Sequence, residues 1–98
     1  MVNSDHWFYV LYSLKDHKLY KGSCTDPFKR ILTHVNGGTP STRHRRPLVL
    51  IYLKRFATKE ESLKFERFSK SLEGGSQLKK ELMSLSILSD DGRLNVRI

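Results

Sequence analysis

Apolar residues fall in short blocks along the chain, separated by polar or glycine-bearing stretches, and the spacing inside each block predicts its element. Trp7-Phe8-Tyr9-Val10-Leu11-Tyr12 is a continuous aromatic and branched run without alternation, the pattern of a strand covered on both faces. Polar Lys15-Asp16-His17-Lys18 reads as a hairpin turn. Leu19-Tyr20-Lys21-Gly22-Ser23 returns as the partner strand, with Gly22 permitting close approach of backbone or ligand. Thr25 or Asp26 can cap a helix that has Pro27 at its first position. Phe28, Ile31, Leu32 and Val35 then follow amphipathic spacing until Asn36-Gly37-Gly38 ends it. A polar loop from Thr39 to Arg46 is closed by Pro47, and Leu48 to Leu53 is a third strand. Thr58-Lys59-Glu60-Glu61 has the form of a capping box, so a helix starts there with Phe65, Phe68 and Leu72 as its buried stripe. Gly74-Gly75 stops it, and Ser76 caps a further helix with Leu78, Leu82 and Leu85 on one face. After Asp90-Asp91-Gly92 the alternation Leu94, Val96, Ile98 fits either an edge strand or an ordered tail.

The order β-β-α-β-α-α predicts an α+β fold: a small three-stranded antiparallel sheet of order 2-1-3, flanked by about three helices. At 98 residues the chain is expected to form a single domain, with its core over about residues 7–84 and residues 85–98 as a C-terminal extension. No stretch reaches the roughly 20 apolar residues of a membrane span, and the polar start is no signal peptide. A lone cysteine, Cys24, forms no internal disulfide, which fits a reducing, cytoplasmic setting with no membrane partner. The four histidines lack the paired spacing of structural zinc.

Lysine and arginine exceed acidic residues by 18 − 10 = +8, which favours a polyanionic partner through counterion release, against simple solubility as the alternative. Arg30 and His34 lie four apart on the first helix, away from its apolar stripe. A neutral imidazole there can accept a proton, and a guanidinium can grip phosphate; two solvated surface residues are the competing account. Glu66, on the second long helix and off its apolar stripe, can hold a hydrated divalent ion or pair with Lys70 one turn on. Tyr9 and Tyr20 stand mid-strand on neighbouring strands, where both phenols can share a sheet face. Arg43, Arg45 and Arg46 form a candidate phosphate-steering patch.

Taken together, these residues resemble the GIY-YIG nuclease family. Trp7-Phe8-Tyr9 stands at the first signature triplet and Tyr20-Lys21-Gly22 at the second; Arg30 and His34 match the Arg-x-x-x-His of its first helix, and Glu66 its later glutamate. The resemblance runs from about Trp7 to Leu82. It includes Ser41-Thr42, Arg46-Pro47 and Lys70, as in the small standalone branch whose members resemble an excinuclease nuclease domain. It implies a Mg²⁺- or Mn²⁺-dependent endonuclease hydrolysing DNA phosphodiesters, structure-directed or weakly sequence-specific, with repair or recombination as the family-level role. Base specificity would come from DNA shape or from a protein partner. Glu66 would hold the metal, Arg30 would stabilise developing charge, and Tyr9 or His34 would activate water, with Tyr20 orienting the phosphate. Lys21, Arg43, Arg45, Arg46 and Lys70 would contact the nucleic acid. This chain departs from the pattern in having Trp7 in place of a glycine and Lys21 in place of an apolar residue. It also has no asparagine between Glu66 and Asn95. The alternative they raise is a non-catalytic basic nucleic-acid-binding module that keeps the fold.

Overall fold

A computed structural model describes residues 5–95. The elements run β1 (His6–Ser13), β2 (Leu19–Cys24), α1 (Pro27–Val35), α2 (Pro40–Arg43), β3 (Leu48–Phe56), α3 (Lys59–Lys70) and α4 (Leu72–Ser84). The sheet is antiparallel with order β2-β1-β3, as the pattern predicts. The unbroken apolar run of β1 is explained by its central place, where Phe8 to Tyr12 are all buried.

Alternate residues of β1 feed two separate cores. Phe8, Val10 and Tyr12 pack with Leu78, Leu82 and Leu88 and with partly buried Phe65. Tyr9, Leu11 and Leu48 form the smaller core on the other face, beneath Ile31 of α1 and beside Tyr20 and Cys24. Register places Tyr9 opposite Gly22 on one side and Leu53 on the other.

Several local expectations are corrected. The apolar stripe of α1 does not form its buried face: Phe28 is 80% exposed, Leu32 and Val35 are also open, and the buried residue of the helix is His34. The helix is rotated about its axis because the imidazole finds hydrogen-bond partners for both ring nitrogens inside, so a polar group can be buried there at low cost. On α3 the buried residues are Ser62 and Ser69, while Phe68 is half-exposed and Leu72 is 95% exposed. Gly74-Gly75 does not end α3. Ser71 terminates that helix and caps α4, accepting from the Gly74 amide at 3.0 Å, so both glycines lie inside α4. A Cβ on Gly74 would collide with the Phe68 carbonyl oxygen, so the glycine serves the sharp corner between the helices. Leu85 is exposed.

The loop after α1 contains the short helix α2, started by Pro40, which makes four helices among the described residues. Leu94 forms an isolated bridge with Leu88; Val96 and Ile98, the rest of that alternation, lie outside the described residues.

Candidate functional site

The site begins with the β1–β2 hairpin. Tyr9 and Tyr20 project onto the sheet face covered by α1, with ring centroids 6.3 Å apart. Gly22 faces Tyr9 across the strand pair, and a Cβ there would lie 2.5 Å from the Tyr9 hydroxyl oxygen. The absent side chain therefore gives the phenol its place.

Asp26 caps α1, accepting from the Lys29 amide at 3.1 Å, and Pro27 occupies the first turn. One turn later Arg30 and His34 project toward the tyrosines. The Tyr9 hydroxyl lies 2.9 Å from His34 Nε2, and His34 Nδ1 lies 2.8 Å from Thr42 Oγ1. Thr42 Oγ1 in turn donates to the Thr39 carbonyl. That contact is long, at 3.5 Å; the Arg30 guanidinium beside the Tyr9 phenol can only donate, which directs the Tyr9 proton to Nε2 and leaves Nδ1–H to face Thr42. This arrangement corresponds to the Nδ1–H tautomer of His34. Tyr20 stacks at a tilt on the same imidazole, 4.9 Å between centroids.

Burial pushes the Tyr9 phenol up to about 12, although a hydrogen bond from the Arg30 guanidinium opposes the rise. That same bond to Tyr9 holds the guanidinium charged above its ordinary range. Burial, then the Arg30 charge, hold the His34 imidazole below its usual value, so it is neutral near pH 7. The lone Cys24 thiol beside Arg30 is pushed up by burial and is not primed as a nucleophile. Beyond Arg30 a cleft of about 230 Å³ opens, lined by Cys24, Asp26, Lys29 and Arg30.

Glu66 approaches from the opposite face of the sheet. Ser23 Oγ donates to the Ser62 carbonyl at 3.3 Å and Lys21 Nζ to the Ser69 carbonyl at 2.6 Å, which lays α3 along β2. Glu66 lies on α3 between those two contacts. Phe65 turns inward onto Phe8, at 4.9 Å between centroids, so Glu66, about 100° further round the helix, turns toward the sheet edge. There its carboxylate is 2.7 Å from Lys70 Nζ, the helix-surface ion pair that the i, i+4 spacing allows. The structure therefore clusters Tyr9, Tyr20, Arg30 and His34 on one face of the sheet, while Glu66 sits on α3, which packs on the other face.

Among the described residues no group of three or more His, Cys, Asp or Glu side chains gathers to form a metal cage. A single hard carboxylate, here paired with Lys70, is a donor of the kind that a hydrated magnesium or manganese ion takes, since such an ion needs few protein ligands, and does not suit zinc.

The basic loop is largely engaged internally. Arg45 Nε pairs with Asp16 at 2.8 Å and its Nη2 reaches the Leu19 carbonyl, while Arg46 Nε donates to the Arg43 carbonyl. Thr42, which the sequence reading names within the family resemblance but gives no role, is the side chain that bonds His34 Nδ1. The Thr39-Pro40 signal for a helical turn could have exposed it, since Thr39-Pro40 starts the short helix that holds Thr42 beside His34.

A small antiparallel sheet whose paired tyrosines meet a helix-borne arginine and histidine, with a glutamate on a later helix, defines a domain of nuclease architecture. The chain belongs to the GIY-YIG family: the model of the GIY-YIG catalytic domain matches residues 5–79. It is 40% identical over 83 residues to the UPF0213 protein YazA of Bacillus subtilis (strain 168), covering 84% of this chain and 80% of that protein. It is 39% identical over 79 residues to the UPF0213 protein NP_0776A of Natronomonas pharaonis, covering 80% and 88%. The solution NMR structure of the UPF0213 protein BH0048 from Bacillus halodurans matches with a TM-score of 0.50 at 35% identity, covering 79% of this chain and 84% of that one.

Proposed function

We propose that the protein is a divalent-metal-dependent DNA endonuclease that hydrolyses phosphodiester bonds at the edge of β2. The observation that carries this reading is the buried hydrogen-bonded run from Tyr9 through His34 to Thr42, with the Arg30 charge beside the Tyr9 phenol, formed by side chains from separate elements. A purely structural core has little use for so many buried polar groups.

Tyr9 and His34 act as one unit in this reading. His34 is wholly buried with both ring nitrogens bonded, so it does not meet water directly. Tyr9, with its phenol held near 12, is a poor base alone. Passing its own proton to His34 Nε2 while accepting one from the attacking water leaves the phenol neutral and the imidazole charged. Arg30 covers the Tyr9 hydroxyl and is itself exposed. A phosphate draws the guanidinium outward, which opens the hydroxyl to water and places the cation where negative charge develops. Tyr20 orients the phosphate. Glu66, released from Lys70, would hold a Mg²⁺ or Mn²⁺ ion, which would polarise the phosphoryl oxygen and stabilise the departing one. Action in repair or recombination, within the cytoplasm, with shape-directed recognition or a protein partner supplying specificity, completes the proposal.

Incubation with branched, nicked and single-stranded DNA in Mg²⁺, Mn²⁺ or chelator tests it. Cleavage by the wild type that stops in chelator and in Glu66→Gln is the expected result. No cleavage of any substrate, or equal cleavage by the variant, overturns it.

One observation favours a second reading as a binding module that does not cut: Lys70 closes the Glu66 carboxylate at 2.7 Å. Salt-dependent DNA binding without turnover in any metal is the result that would select it.

A further inference from the structure

Lys21, which stands at an apolar position of the second triplet, points away from the tyrosines onto α3 and α4. Its ammonium donates to the Ser69 carbonyl at 2.6 Å and borders an open cleft of about 540 Å³ between β2 and the α3–α4 corner. Lys70, Lys79 and Lys80 line the same cleft with Ser71 and Ser76, and no acidic side chain does. Among the described residues Lys79 and Lys80 have no ion-pair partner. Burial, with the charges of Lys79 and Lys70, holds Lys21 below its ordinary range; of these groups only Lys70 has a carboxylate partner among the described residues, Glu66. A bound anion relieves that repulsion.

One side chain joins the cleft to the Glu66 carboxylate. Lys70 both lines it and holds Glu66. Arg45, by contrast, is committed to Asp16 and the Leu19 carbonyl. The lysine cleft, with Lys79 and Lys80 free of acidic partners among the described residues, is therefore a positive surface in addition to the arginine loop that the sequence suggests.

We propose that the cleft lined by Lys21, Lys70, Lys79 and Lys80 is a second backbone subsite, holding DNA phosphates next to the one at Arg30 and Glu66. This rests on the nuclease reading for the identity of the polyanion. Cations spread along an open cleft from β2 to α4 match a row of phosphates better than a single free one. The contacts are to phosphate, so the subsite fixes the strand's path and adds affinity without reading bases.

Binding of a fluorescently labelled nicked duplex, measured across salt concentrations in Ca²⁺, tests it. Lys79→Ala/Lys80→Ala removes two exposed charges without touching the tyrosine–histidine cluster. Lys15→Ala/Lys18→Ala, in the hairpin turn, removes the same charge elsewhere. The expected result is that the cleft variant lowers the slope of log K against log salt by about 1.8, from roughly 0.9 per phosphate contact, while the turn variant does not. Equal slopes for wild type and cleft variant overturn the subsite and leave the nuclease reading standing. Equal losses in both variants show a general charge effect and also overturn it. A wild type with no salt-dependent binding overturns both readings together.

Discussion

Replacing Thr42 by valine isolates the buried contact that orients the imidazole. Thr42 and His34 are both 0% exposed, and 2.8 Å separates Thr42 Oγ1 from His34 Nδ1. Valine keeps the shape of threonine, so no cavity opens, but the Nδ1–H loses its acceptor where water does not reach. An orphaned buried donor costs about 1–3 kcal/mol, and the added methyl offsets less than about 1 kcal/mol. The net loss of about 1–2 kcal/mol corresponds, for a domain of this size, to a Tm roughly 5–15 °C lower. Urea unfolding with an unchanged m-value measures the energy. Nitrogen chemical shifts of the His34 ring report the tautomer: Nδ1–H in the wild type and in Thr42→Ser, mixed or switched in Thr42→Val. A valine variant within about 0.5 kcal/mol of wild type, which is the scatter of neutral substitutions, would refute the reasoning. So would an Nε2–H tautomer in the wild type.

Three further outcomes follow from the same packing. His34 titrates below its ordinary value when folded, so the unfolded chain binds a proton more readily; stability is full above about pH 6.5 and falls as pH drops through the folded value. Urea midpoints across that window should show the fall in wild type and lose most of it in His34→Gln; equal profiles contradict it. Gly22→Ala places a Cβ 2.5 Å from the Tyr9 hydroxyl and should cost about 1–3 kcal/mol as the ring is displaced, read by thermal melting and by shifted His34 ring signals. Unchanged melting and ring signals would show that the strand pair is looser than described. Gly74→Ala would set a Cβ against the Phe68 carbonyl and should destabilise by about 3 kcal/mol or more, or prevent folding; a soluble variant of wild-type stability contradicts the tight α3–α4 corner.

What the sequence discloses and what it hides divide along physical lines. The doubly covered strand, the hairpin and the 2-1-3 order are legible because Trp7 to Tyr12 can satisfy their apolarity only at the centre of a sheet. The rotation of α1 is not legible. Phe28, Ile31, Leu32 and Val35 carry the stronger periodic signal, yet only Ile31 packs on the tyrosine core, because His34 is captured from both sides by Tyr9 and Thr42. No local rule announces that pairing, since Thr42 and Tyr9 lie 8 and 25 residues from His34. The same holds at the α3–α4 corner. Ser71 and Ser76 are equal as caps in local terms, and the choice is made by the close approach of Gly74 to α3. Of the residues proposed for chemistry, Tyr9, Tyr20, Arg30 and His34 meet as one cluster, and Glu66, on α3, is paired with Lys70. Lys79 and Lys80 enter the picture only through the tertiary approach of α4 to Lys21.

The most direct measurement is the single-turnover rate of DNA cleavage by Tyr9→Phe, compared with wild type after both are shown to be equally folded. Removing one hydroxyl takes away the proton path to His34 Nε2, and the rate should fall by about 100-fold or more, the scale of a lost general base. A Tyr9→Phe protein that cuts DNA at the wild-type rate would contradict a site built on that phenol.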